Sequence, residues 1–527
     1  FKGMDDITIT KPINICGELA TKPGTPHRVT LLDANGKASA GKITNGWAKY
    51  MGDASFNDYY VLDANGYRNY KANDGEIYTK VITHETGSHP ICGVECTHDG
   101  AHPALQWTEV NTWAALKSLL EADGTHNVCL TSDLSTQLGT EVIKINGQIN
   151  FCLHGYKLNL QPGATGGHFE VQSGASLNIT DCIGTGAIEN GRGRVVWNGP
   201  NYSTGGAIYL PSGATATLYG GTIATSSSDL GGAVYVAQGA TFTMKGGTLD
   251  GNWTAGTLWN GNTTVRAAGG AVYLAGGTFI LDGGTLTKNN VLNKETSENV
   301  HDGGGAVYIA DNGRFVMNGG TITGSWCRPE NANNTDWNGN AVRVYSGTFE
   351  MNGGTFDWND AYYIAKHNTV YVDSGSTFTM TGGSFENASE QNVVYLAGGA
   401  AFNMTGGTFN NAGKTAVRPE SNATFNMSGG KIIGGKRSNY EFTGVVNLLT
   451  GSKFNMTGGE ITDCSVGVYM EAASTFTMTD GVIKNCTYGV RVWGDSTGSK
   501  STIFTMKGGK IGGAAGSTRN YTGYGVG

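Results

Sequence analysis

Two groups of side chains in this sequence have the types and spacing to do chemistry. Asp302 stands just before Gly303-Gly-Gly-Ala-Val-Tyr, and Asp336 with Trp337 stands just before Asn338-Gly-Asn-Ala-Val-Arg, so two carboxylates hold matching places in consecutive copies of one repeat. If the repeats stack as β-turns of a solenoid, the acids come roughly 5–6 Å apart. That is near the separation of about 5–5.5 Å used by retaining glycosidases and short of the wider inverting range. One acid would stay protonated beside its neighbour's charge and act as general acid, the other as nucleophile. The plainer reading of an Asp before Gly is a solvated turn residue. The second group is His89-Pro-Ile-Cys92-Gly-Val-Glu-Cys96-Thr-His98-Asp-Gly-Ala-His102, two Cys and three His within one short segment. Thiolate and imidazole suit a tetrahedral structural zinc held by Cys92, Cys96, His98 and His102. A Cys92–Cys96 disulfide with solvated histidines fits the same residues.

The elements that must position these groups follow from an internal repeat. Between Tyr209 and Arg491 one pattern returns eleven times, most clearly as Gly-Gly-Ala-Val-Tyr-Val-Ala-Gln-Gly-Ala-Thr-Phe-Thr-Met-Lys-Gly-Gly-Thr-Leu over 231–249. The central residues of Val-Tyr-Val form a column: Tyr209, Tyr235, Tyr273, Tyr308, Arg343, Tyr371, Tyr395, Arg418, Asn447, Tyr469 and Arg491. Alternation with period two puts Val234, Val236, Phe242 and Met244 on one face and Tyr235 on the other. The bare repeat, seen at 447–469 and 469–491, is 22 residues long. That length suits one turn of an all-β, right-handed parallel β-helix with three short strands per turn. Leucine-rich, paired-helix and Trp-Asp blade signatures are missing.

One side of each repeat has constant length and the other is elastic. From the residue after Gly-Gly to the next column residue the spacing runs from 9 to 25, and the longest values belong to consecutive turns over 248–371. Insertions that enter at one corner must cluster along one edge, where repeat proteins place binding surfaces. These loops hold Trp253, Trp259, Arg266, Glu295, Glu298, His301, Trp326, Arg328, Trp337, Trp358, Lys366 and His367, including five of the ten Trp in the chain. Aromatic faces beside charged side chains suit a sugar, whose C–H faces lie on rings while its hydroxyls take hydrogen bonds. Tyr308, Arg343 and Tyr371 would floor that groove, with Arg343 orienting the sugar or holding one carboxylate ionised. The alternative is that the tyrosines stack on one another only to support the sheet.

Charged residues make up 15% of the 527 and the net charge is −7, so no basic stripe for nucleic acid is present. No apolar run is long enough to span a membrane. The stack is expected to begin near residue 127, with Asn127-Val-Cys, Asn150-Phe-Cys and Asn178-Ile-Thr-Asp-Cys as early turns. A short amphipathic helix over 109–122, with Trp113, Leu116, Leu119 and Leu120 on one face, would cap the open core. The chain thus divides into a small β-rich module over 1–88, with matching Leu-Asp-Ala-Asn-Gly turns at 32–36 and 62–66, a Cys/His clasp over 89–104, and the solenoid over 105–527. The final Gly525-Val-Gly falls where a new turn would start, the pattern expected of a fragment of a longer molecule. Cys464 and Cys486 lie 22 residues apart, in one place on neighbouring turns, as a disulfide or as a reduced stack.

The Cys-Gly-x-x-Cys-x-His segment, Asn150-Phe-Cys-Leu-His-Gly and the Gly-Gly-Thr repeats resemble adhesin-like surface proteins of Gram-positive gut bacteria over 89–527. That resemblance implies the fold and a secreted or cell-surface life, not an activity. The chain is more distantly similar to glycoside hydrolase family 136, the lacto-N-biosidases, whose catalytic domain is also a β-helix. The likeness implies two aspartates seven residues apart; the pair with that spacing inside a long loop here is Glu295 and Asp302, which makes Glu295 a third candidate acid. The reading that emerges is a glycoside hydrolase at the 248–371 edge, or a non-catalytic glycan-binding adhesin using the same groove.

Overall fold

The computed structural model describes residues 105–512 apart from 136–141, 161–167, 197–201, 256–257, 260–262, 265–266, 294–302, 330–338, 340, 358–367, 387–391, 413–414, 435–443 and 494–500; before residue 105 it describes the backbone of seven short strands. The Val-Tyr-Val strands form one parallel sheet of 13 strands, from Val142–Ile145 to Tyr488–Val492. The Phe-x-Met strands and the Gly-Gly-Thr strands form two further parallel ladders, as where Thr241–Met244 pairs with Thr278–Leu281 and Thr248–Asp250 with Thr285–Thr287. The chain is therefore an all-β parallel β-helix, as the repeat predicts.

Alternation decides what is inside. Val234, Val236, Phe242 and Met244 are fully buried, while Tyr235 between the valines is partly exposed. The inward Phe column stacks ring on ring from Phe242 to Phe504, with centroids 4.5 Å apart at Phe378–Phe402 and 5.3 Å at Phe242–Phe279. Parallel strands about 4.8 Å apart bring like residues to stacking distance, so one aromatic per turn becomes a continuous spine. The coupling of Met to Gly-Gly has a steric cause. Gly354 has φ +81°, and a Cβ there would lie 2.5 Å from Met317 Cε of the preceding turn. The second glycine thus opens the space that the methionine fills.

The stack starts one turn earlier than residue 127. Thr108–Val110 pairs in parallel with Val128–Leu130. With one buried residue in three, it is too short for alternation to reveal it. That strand also takes residues from the expected helix, which runs Trp113–Leu120 rather than 109–122. Thr112 caps it, its side chain accepting from Ala115 N at 3.4 Å. Leu116 and Leu120 are fully buried against the first turns, closing the end of the core. Ser88–His89 pairs antiparallel with Leu105–Gln106. Cys92, Cys96, His98 and His102, and both Leu-Asp-Ala-Asn-Gly turns, lie outside the described residues. Among the described residues no helix is long and apolar enough to cross a membrane.

Candidate functional site: a corner sheet carrying tryptophan

The elastic corner begins the same way in successive turns. One residue adopts a left-handed backbone: Thr225 at φ 52°, Gly251 at 59°, Lys288 at 53° and Gly324 at 57°. The next residue, four positions after the start of the Gly-Gly-Thr strand, points inward and is completely buried: Ser226, Asn252, Asn289 and Ser325. Buried polar groups need partners, and these find them in each other's backbones. Ser226 Oγ accepts from Gly191 N at 3.2 Å, Asn252 Oδ1 from Ser226 N at 3.0 Å, and Asn289 Oδ1 from Asn252 N at 3.0 Å. The amide NH2 groups of Asn252 and Asn289 donate to Ile223 O and Leu249 O at 2.9 and 2.8 Å. Among the described residues, this ladder leads directly into the strands that leave the solenoid at Ser227, Trp253 and Asn290.

What leaves is a fourth sheet. Ser227–Ser228, Trp253–Ala255, Asn290–Asn293 and Trp326–Pro329 pair in parallel. Their register makes a column Ser227, Trp253, Asn290, Trp326, which Arg192 extends through its bridge to Ser227. Arg192 bonds Ser227 Oγ and places its guanidinium 5.5 Å from the Trp253 ring centroid. Burial pulls the Arg192 pKa down from its ordinary value. Thr254 and Val291, one residue on, face inward and are buried, whereas Trp253, Asn290 and Trp326 are partly exposed. Two indoles two turns apart, about 9–10 Å along the stack, thus flank one amide.

The column of Val-Tyr-Val tells a different story from its expected role. It keeps strict register, Tyr209 to Tyr235 to Tyr273 to Tyr308 to Arg343 to Tyr371 to Tyr395. Tyr rings stack at 5.3, 5.5 and 5.3 Å from Tyr209 through Tyr308 and at 5.0 Å for Tyr371–Tyr395. Arg343 is not an open sugar ligand: it is completely buried, and its Nε and NH2 reach Asp373 Oδ2 and Oδ1 at 2.8 and 3.0 Å. Its guanidinium also sits 6.0 Å from Tyr308, 5.7 Å from Tyr345 and 5.2 Å from Tyr371. Tyr308 is likewise sealed, 2% exposed, clustered with Ala268 and Ala310 and stacked between the Tyr273 and Tyr345 rings at 5.3 and 5.9 Å. Both residues support the sheet instead of flooring a groove. Tyr371 stays partly exposed.

Trp259 lies on a strand, Leu258–Trp259, that pairs antiparallel with Thr263–Thr264. Glu295, His301, Asp302, Asp336, Trp337, Trp358, Lys366 and His367 lie outside the described residues, as do Arg266, Glu298 and Glu330. Of the expected contact residues, the structure brings Trp253 and Trp326 together on one column. It adds Asn290, Arg192 and the buried Ser/Asn ladder, which sequence reasoning missed. The signal for the ladder was present: a Ser or Asn at a constant offset of four from the residue after Gly-Gly, seen at 226, 252, 289 and 325. Compared with known proteins, the chain matches no family model, no curated protein and no solved structure.

Proposed function

We propose that this chain is a surface-exposed or secreted bacterial β-solenoid that binds a glycan along its corner sheet without turning it over. The observation that carries the reading is the in-register column of Trp253, Asn290 and Trp326, partly exposed and braced from within by the buried amide ladder. Indole faces cover the apolar side of a pyranose, and an amide between them offers both a donor and an acceptor to hydroxyls. The two rings are separated by about the reach of two linked sugars, so an oligosaccharide chain is the fitting ligand. Strands hold the rings at fixed spacing, which limits the ordering cost of binding.

A glycan array with the intact chain tests this. Trp253→Ala and Trp326→Ala are each expected to weaken binding by tenfold or more, in the range of interface hot spots. Unchanged binding by both variants would move the ligand elsewhere. The second reading is a retaining glycoside hydrolase using Asp302 and Asp336, with Glu295 as the third acid. It is supported by Gly304 N donating to Gly339 O at 2.8 Å, which ties the stretches just downstream of the two aspartates to adjacent turns. Incubating array hits with the protein distinguishes the two. Sugar release that disappears in Asp302→Asn and Asp336→Asn, with binding retained, establishes the hydrolase; intact ligand leaves the binding protein.

A further inference from the structure

A second group of reactive side chains sits in the first turns of the solenoid, before the strands of the corner sheet begin. Cys129 and Cys152 are directly opposed on neighbouring turns, and Cys182 follows on the turn after. The three are 5%, 0% and 0% exposed, under Trp107 and Ile183. Cys152 Sγ and Cys182 Sγ are 3.6 Å apart, and His154 Nδ1 lies 2.9 Å from Cys182 Sγ. The ligand atoms of Cys129, Cys152 and His154 all lie within 4.8 Å of one another. Cys129, Cys152 and His154 thus form one close group of ligand atoms, and Cys182 on the following turn touches two of its members, Cys152 and His154.

We propose that Cys129, Cys152, Cys182 and His154 form a closed Cys3His site for a structural zinc ion. Zn–S bonds near 2.3 Å and Zn–N bonds near 2.0–2.1 Å set tetrahedral ligand atoms about 3.5–3.8 Å apart. The 3.6 Å sulfur pair already matches that edge. The shorter His154–Cys182 contact is a hydrogen bond whose proton leaves as the metal arrives, since ligation requires thiolate and neutral imidazole. Oxygen-loving cations are poorly served by three sulfurs, and four protein ligands leave no open position for catalysis.

The surroundings are built to hold the ligands rather than merely to bury them. His154 has φ 51°, a left-handed backbone that a residue with a side chain rarely adopts. Asp181, 1% exposed, fixes both ligand-bearing turns. Its Oδ1 accepts from Gly155 N at 2.7 Å and Ile183 N at 3.3 Å, and its Oδ2 from Gly186 N at 2.6 Å. One carboxylate therefore orients the residues flanking His154 and Cys182 together, as outer-shell groups do at metal sites. The half-exposed imidazole leaves an entry path from solvent. Bound there, zinc would cross-link the first turns beside the capping helix, where a stack of turns is most prone to fray.

The test uses the full chain with Cys92→Ser and Cys96→Ser, so that the N-terminal Cys/His segment cannot supply the metal. Elemental analysis is expected to find about one zinc per chain in that variant, and adding Cys182→Ser is expected to remove it. Replacing the zinc by Co(II) should give the strong visible bands of a tetrahedral thiolate site. His154→Gln, on the exposed side of the cluster, should change those bands, and it serves if the Cys182 variant fails to fold. A metal-free Cys92→Ser/Cys96→Ser chain overturns the proposal. So does an intact mass showing two of the three cysteines oxidised to a disulfide, or a Co(II) spectrum that His154→Gln leaves unchanged.

Discussion

The same corner is closed by different chemistry in two parts of the solenoid. In the turns that carry the corner sheet, the buried position four residues on from the residue after Gly-Gly holds Ser226, Asn252, Asn289 and Ser325. In the last turns it holds Cys464 and Cys486, joined as a disulfide with Cα atoms 4.5 Å apart. Both versions follow a left-handed residue, Gly251 and Lys288 in the first case, Asp463 and Asn485 in the second. The consequences for the chain differ. After Asn252 and Asn289 it runs on as an extra strand before its insertion, at Trp253–Ala255 and Asn290–Asn293. After Cys464 it reaches the next strand of the main sheet at once, at Val466–Met470. An amide ladder bonds to the backbone of each neighbouring turn and so imposes register on whatever follows. A disulfide ties two points and asks nothing of the next residues. The corner sheet is found where register was needed, and the staple where the corner is bare.

Removing the staple is the harshest test of that contrast. Cys464→Ser with Cys486→Ser opens a cross-linked loop of 22 residues, and the loop-entropy model assigns such a closure about 3 kcal/mol. Chemical denaturation should show that loss, and limited proteolysis should begin in the last turns while the corner sheet stays protected. Equal sensitivity along the whole stack would mean that the disulfide has no local role. On the other side, Asn289→Ala strips an acceptor from Asn252 N and a donor from Leu249 O, both buried. Unsatisfied buried groups cost about 1–3 kcal/mol. The loss should be accompanied by weaker glycan binding, because Asn290 and Trp253 depend on that register. A stability loss with unchanged binding would separate the ladder from the site.

The sequence revealed most where one residue type repeats on one side of a strand. Val234, Val236, Phe242 and Met244 were readable as core and Tyr235 as outward because alternation needs nothing beyond the strand itself. The Tyr209–Tyr235 stacking followed from the same register. Arg343 misled for a tertiary reason: as an outward residue it looked available, yet it is buried, paired through Nε and NH2 with Asp373, thirty residues on, and surrounded by tyrosines. Nothing local distinguishes a solvated outward position from one that distant side chains cover, as Tyr308 shows beside Ala268 and Tyr345. The cysteines at 129, 152 and 182 were visible as members of early turns, but their convergence with His154 depends on the left-handed bend at His154 itself.

The smallest expected effect isolates the bend that both corner types share. Lys288 and Asn485 occupy the same left-handed position, at φ 53° and 56°. A residue with a Cβ ordinarily sits there at a cost of about 1–2 kcal/mol, and asparagine is among the few types that visit it readily. Lys288 is exposed, with its Cγ 3.7 Å from the point a Cβ on Gly324 of the next turn would occupy. Asn485 instead bonds Asp463 Oδ1 at 3.3 Å. Lys288→Asn should therefore raise stability modestly, by about 0.5–1 kcal/mol, and Asn485→Lys should lower it by a similar amount. Opposite signs in denaturant midpoints at an unchanged m-value would show one bend serving both corners. If both substitutions destabilise, the lysine stem contributes more than the backbone strain costs, and the two corners are held by different balances of the same forces.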